Sequence, residues 1–203
     1  YILRYGGLLE ESARECETAL SLDPKNPRFR SCGVTNALLG NYARARTFLN
    51  LDAGSEFSGR QLTWILVREG KLEEAARIRA PELGGSDTYN RWLSACLARR
   101  PPSAGGSLPV EVREHFATGR DSEPRFNVAS RVAFCGDRES ALHLLRKAAE
   151  GNYCGYPAMD RDPLFDPIRK TPEFAEIRRA AMACHQRFLT HRAAAGGGPE
   201  PKK

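Results

Sequence analysis

The sequence predicts an all-α protein, an array of antiparallel helix pairs finished by a C-terminal capping helix. Three observations carry that expectation. Four glycine-led stretches repeat one small-residue pattern, "GLLEESARECETAL", "GNYARARTFLNLD", "GKLEEAARI" and "GDRESALHLLRKAAEG". Apolar residues in and before them recur at helical spacing. Proline steps punctuate the chain where helices would have to stop. The 203 residues, 41% hydrophobic and 28% charged, suffice for one compact domain or one solenoid array with a substantial core, without disulfides or metal.

In each stretch a small residue stands five places after the glycine: Gly7 and Ser12, Gly40 and Ala45, Gly70 and Ala75, Gly136 and Ala141. The glycine permits a tight turn and the small residue lets two helices approach closely. Upstream of three of these glycines lies a partner helix. "PRFRSCGVTNALLG" carries Phe29, Cys32, Ala37 and Leu39; "FSGRQLTWILVREG" carries Leu62, Trp64, Ile65 and Leu66; "EPRFNVASRVAFCG" carries Phe126, Val128, Ala129 and Val132. "YILRYG" reads as the end of such a helix, so the chain is expected to be a fragment of a longer one. After Leu20, "LDPKNP" ends the second helix: Pro24 blocks continuation and Pro27 starts the next.

In the middle, "DTYNRWLSACLARR" predicts an amphipathic helix with Tyr89, Trp92, Leu93, Cys96 and Leu97 on one face. "PPSAGGSLP" reads as a loop and "VEVREHFATG" as a short helix. Together residues 87–119 form a degenerate helix pair. At the end, two Asp-Pro steps precede a long helix with Thr171 as N-cap and Pro172 in its first turn. Residues 160–191 would cap the array, and residues 192–203 read as a disordered tail.

These features resemble the tetratricopeptide repeat, a helix-turn-helix unit of about thirty-four residues. The resemblance is best over residues 1–79 and returns over 123–150, within one repeat domain spanning 1–191. It implies a right-handed superhelical solenoid. The spacing is irregular: Gly7 to Gly40 is 33 residues and Gly40 to Gly70 is 30. The second repeat runs into "NLDAGSEF" without a Asp-Pro stop, so its second helix or turn is expected to be shorter. "DPLFDPIRKTPEF" looks like the closing segment found after repeats in bacterial multidomain regulators and kinases.

No catalytic constellation is present: there is no phosphate loop, no G-x-S-x-G, no H-E-x-x-H. His143 reads as a packed helix residue. Asp160, Asp162 and Asp166 read as turn formers rather than calcium ligands, because the loop lacks the glycine and terminal glutamate of a calcium hand. The six cysteines are scattered, with no C-x-x-C, and are expected to be reduced core residues in a cytoplasmic protein without metal or cofactor. No apolar run is long enough to cross a bilayer. The charge of +6 arises from 31 basic residues interleaved with 25 acidic ones, a pattern of solubility more than of nucleic-acid binding.

What remains is a surface. In a helical solenoid the first helix of each pair lines a concave groove. Counting back from the turn glycines places Tyr5, Arg30, Val34, Arg60, Trp64 and Arg68 on that face, with Tyr1 and Leu38. Arginine grips carboxylates with two parallel hydrogen bonds. The expected function is therefore a protein-protein interaction scaffold, non-enzymatic, whose groove binds a protein or peptide of acidic character. The alternatives are a regulatory domain acting on other parts of its own parent chain, and a nucleic-acid-binding helical repeat.

Overall fold

A computed structural model describes residues 1–78, 87–98 and 106–196. Among these residues the regular secondary structure is entirely helical, with no strand. In chain order the α-helices are α1 (Ile2–Tyr5), α2 (Leu9–Leu22), α3 (Cys32–Leu38), α4 (Tyr42–Leu49), α5 (Glu56–Arg68), α6 (Leu72–Ala76), α7 (Asp87–Ala98), α8 (Val110–Thr118), α9 (Ser122–Phe134), α10 (Arg138–Glu150), α11 (Tyr156–Arg161) and α12 (Pro172–Ala194).

The four predicted glycine turns are real, and they are built alike. Gly7, Gly40, Gly70 and Gly136 all have positive φ, between 76° and 93°. At Gly70 the glycine N–H donates to the Val67 carbonyl at 3.0 Å and the Lys71 N–H to the Leu66 carbonyl at 2.9 Å. The same two bonds recur around Gly7, Gly40 and Gly136. This is the Schellman arrangement, which satisfies the last carbonyls of one helix and needs a left-handed residue at the glycine. The next helix then opens with Ser12, Ala45, Ala75 or Ala141 donating its N–H back to the helix-start carbonyl. Those four side chains are 3, 0, 0 and 0% exposed, so the recurrent small residue sits inside the pair. Gly33 shows how tight the second pair is: a Cβ there would lie 2.7 Å from Leu49 Cγ.

Helices α1 and α2, α3 and α4, α5 and α6, and α9 and α10 accordingly pack as neighbours, and α2 on α3 and α4 on α5 connect successive pairs. The shortened second repeat is visible as α4 giving way to a 3-10 turn at Asn50–Asp52. Asn26 caps the 3-10 turn Pro27–Ser31 by accepting from the Arg28 N–H at 3.0 Å, which launches α3. The degenerate region is less of a pair than expected: α7 packs on α6, whereas α8 packs on α9 and α10. The predicted loop at residues 101–109 is non-helical over 106–109, and its first five residues lie outside the described ones.

Thr171 caps α12 as expected, accepting from the Phe174 N–H at 3.2 Å, with Pro172 following. Asp162 caps a 3-10 turn in the same way, accepting from the Leu164 N–H at 3.1 Å. The long helix continues to Ala194, three residues into the stretch expected to be a disordered tail; residues 197–203 lie outside the described ones. α12 packs on α10, as a cap would. It also receives the α1–α2 turn. His185 Nδ1 meets the Gly6 carbonyl oxygen at 2.5 Å, the Cys154 N–H donates to the Tyr5 carbonyl at 2.9 Å, and Arg192 pairs with Glu11 at 2.6 Å. The two ends of the chain therefore meet, and one core cluster runs from Leu9 to Ala181.

The cysteines correct the sequence reading. All six are paired: Cys16 with Cys32, Cys96 with Cys135, and Cys154 with Cys184, at Cα separations of 5.9, 5.7 and 5.2 Å. Each bond staples neighbouring segments: α2 to α3, α7 to the end of α9, and the segment before α11 to α12. Their scatter in sequence concealed this, because the partners face each other only once the helices stack.

Two outcomes follow. Alkylation of the denatured, unreduced protein should label no cysteine, and reduction should make all six reactive. Gly70→Ala meets no neighbour but keeps φ at 76°, so urea denaturation should show a loss of about 1–2 kcal/mol.

Candidate functional site

The first helices of the pairs converge on a pocket of about 490 Å³. α1 contributes Arg4, α3 Val34, α5 Phe57, Arg60 and Gln61, and α9 Glu123, Asn127 and Arg131; Tyr89 of α7 and Phe116 of α8 complete the wall. The spacing explains the convergence. Phe57 and Gln61 are four apart on α5, with Arg60 beside them, and Glu123, Asn127 and Arg131 follow at the same interval on α9. Residues four apart share a helix face.

The chain closes this pocket with a buried ion pair. Arg4, 2% exposed, forms a two-bonded pair with Glu123, 8% exposed. Its other nitrogen donates to the Ser31 carbonyl at 3.0 Å and to Thr35 Oγ1 at 2.9 Å. α1, α3 and α9 are thus tied at one point. Beside it, the Tyr5 hydroxyl accepts the Ser122 and Glu123 N–H groups at 2.9 and 3.0 Å and donates to Asp121. Tyr1 donates to the other Asp121 oxygen at 2.7 Å. Burial would raise the Asp121 carboxyl, but these phenols hold it below the usual carboxylate range. Its contribution to stability is therefore complete above that range and lost as acid protonates it.

The opposite end of the pocket is cationic. Arg131 is 5% exposed, and its guanidinium lies 5.1 Å from the centre of the Trp64 ring. Burial pushes it below the usual arginine range; the Tyr89 hydroxyl opposes that shift, whereas the nearby Arg60 and Arg68 add to it. Among the described residues no carboxylate forms a salt bridge with Arg131 or with Arg60. The neighbouring Asp162 is already taken by Arg68, at 3.0 and 2.6 Å.

Of the eight side chains expected on the groove, Tyr1, Val34 and Arg60 line this pocket. Leu38 lies in the core, and four others are also elsewhere. Trp64 is 0% exposed and belongs to the core, against Phe134 at 6.3 Å; an indole this large is more stable buried than wet. Arg68 is spent on Asp162 and is itself buried. Arg30 pairs with Asp52 at 2.5 Å, over the Phe57 ring. Tyr5 lies on the wall of a second pocket, beside Cys154 and Phe188, and anchors the start of α9. The sequence reading missed Arg131, Asn127 and Glu123. The counting rule, extended to Gly136, selects Ser130 and Phe126, which are 0 and 1% exposed and face the core. The pocket-facing residues stand one place later, and one residue rotates a helix face by about 100°.

Asp160, Asp162 and Asp166 serve Arg178, Arg68 and Arg169 as ion-pair acceptors, in keeping with a structural role. Among the described residues no three His, Cys, Asp or Glu side chains gather as a metal site. No described helix is long and apolar enough to cross a membrane.

Arg4→Met leaves Glu123 buried without its partner and should cost about 3–5 kcal/mol, read by chemical denaturation. The double variant Arg4→Met with Glu123→Leu should recover much of that loss, since both charges then leave together. Comparison with protein-family models, with curated proteins and with solved structures finds no match to this chain.

Proposed function

We propose that the protein is a non-catalytic binding module of tetratricopeptide-like helix pairs in right-handed superhelical order, taking a segment of another protein in the pocket lined by the first helices. The observation that carries this reading is the pocket itself: about 490 Å³, walled by side chains from α1, α3, α5 and α9 together. Tyr, Phe and Arg side chains make up seven of its sixteen lining residues, and these are the types that concentrate binding energy at interfaces. Six surface arginines, Arg44, Arg46, Arg146, Arg161, Arg178 and Arg192, are each engaged with a carboxylate, which weighs against a basic stripe running through them and so against nucleic acid as a partner. Three disulfides support an oxidising compartment over the reducing cytoplasm.

A random peptide library displayed against the disulfide-intact protein tests the reading. Enriched peptides should lose affinity by more than about tenfold against Asn127→Trp and Gln61→Trp, which fill the pocket from half-exposed wall positions. Failure to enrich any binder, or binders indifferent to both variants, overturns it.

A further inference from the structure

From the buried guanidinium of Arg131 and the adjacent Arg60, we propose that the inner end of the pocket is a carboxylate site that seats an acid carried on an apolar or aromatic body. The inference deepens the binding reading above and rests on the same pocket. It does not rest on the peptide nature of the ligand.

The argument is one of charge and burial. An arginine that is 5% exposed ordinarily has a carboxylate partner, because desolvating a lone cation is costly. Elsewhere in this chain that rule holds: Arg4 has Glu123, and Arg68 has Asp162. Arg131 has the face of Trp64 and the hydroxyl of Tyr89, neither of which carries charge. Both are compatible with a guanidinium that keeps its remaining donors for something else. Arg60 stands close enough to add to its repulsion, and a second cation placed there is unfavourable until an anion comes between them.

The pocket's own acids cannot supply that anion. Both Glu123 oxygens accept from Arg4, and both Asp121 oxygens accept from Tyr5 or Tyr1. Among the described lining residues the charged groups left without a carboxylate are therefore two guanidiniums, and the amides of Asn127 and Gln61 on the same walls can donate as well. Phe57, Tyr89, Phe116, Val34 and Val128 offer an apolar surround to the body of the ligand. A buried guanidinium lying over the Trp64 ring presents its donors in the plane of the group, which suits the two oxygens of a carboxylate.

One chemistry has two sources, a free organic acid or a carboxylate on a peptide. The test titrates the disulfide-intact protein by calorimetry with 3-phenylpropionate and with N-acetyl-alanyl-alanyl-phenylalanine, each beside its neutral amide. At least one acid should bind saturably, and its amide should bind roughly 10- to 100-fold more weakly. Binding by the free acid alone assigns a small-molecule ligand; binding by the peptide assigns a chain terminus or acidic side chain. Arg131→Met should abolish the preference for the acid while the thermal midpoint stays level or rises, because an uncompensated buried charge has gone. Arg60→Gln, at a half-exposed position, should weaken the acid by a smaller factor. Arg161→Gln, outside the pocket and paired with Glu10, should change nothing. No saturable binding of either acid, equal binding of acid and amide, or an Arg131→Met or Arg60→Gln protein that binds as the parent does, overturns the site. Should peptide display fail while 3-phenylpropionate still binds through Arg131, the peptide reading falls and the carboxylate site stands.

Discussion

The Arg4–Glu123 pair is the constraint on which the arrangement of this protein turns. It joins residues 119 apart in sequence, and it does so in the interior. Because both groups are desolvated, each requires the other, and the requirement is met only when α1 lies against α9. With that contact made, side chains of α1, α3, α5 and α9 enclose a pocket with walls on several sides. The hydrogen bonds of Tyr5 to the start of α9, and of Thr35 to the same guanidinium, make the junction a network of three helices.

The C-terminal helix reinforces the same closure from outside. A capping helix needs only to cover the apolar face of the last pair. α12 does this on α10 and also holds the α1–α2 turn. The approach is close: a Cβ on Gly6 would lie 2.5 Å from the Phe188 ring, and one on Gly7 would lie 2.5 Å from the Cys154 carbonyl oxygen. Gly7 thus answers two demands at once, a left-handed turn and contact with a neighbouring backbone. The Cys154–Cys184 bond fixes the segment that meets it to α12.

Charge is distributed by depth. On the surface, arginines meet carboxylates in exposed pairs such as Arg44–Glu17 and Arg161–Glu10, which contribute little each. Inside, the cations are few and their pairing is decisive. Among the described residues, buried Arg4 and the enclosed side chain of Arg68 each have a carboxylate, and buried Arg131 faces the pocket. A pattern of interleaved charges in the sequence hides this distinction, because a buried arginine and a solvated one are the same letter.

Local physical chemistry made the helix pairs legible. A glycine that must be left-handed, a small residue where two helices touch, a threonine able to accept an N–H and a proline that cannot continue a helix each act within a few residues, so Gly40, Ala45, Thr171 and Pro24 announce their roles in the sequence itself. The direction of each helix face was legible only to within about one residue. That sufficed for Val34 and Arg60 but not for Arg131, since an error of one place exchanges core for pocket. The disulfides, the meeting of the chain ends and the burial of Trp64 and Arg68 were decided by tertiary structure alone. Each depends on which surfaces face each other after stacking, a relation between residues as far apart as Arg68 and Asp162 that no local pattern encodes.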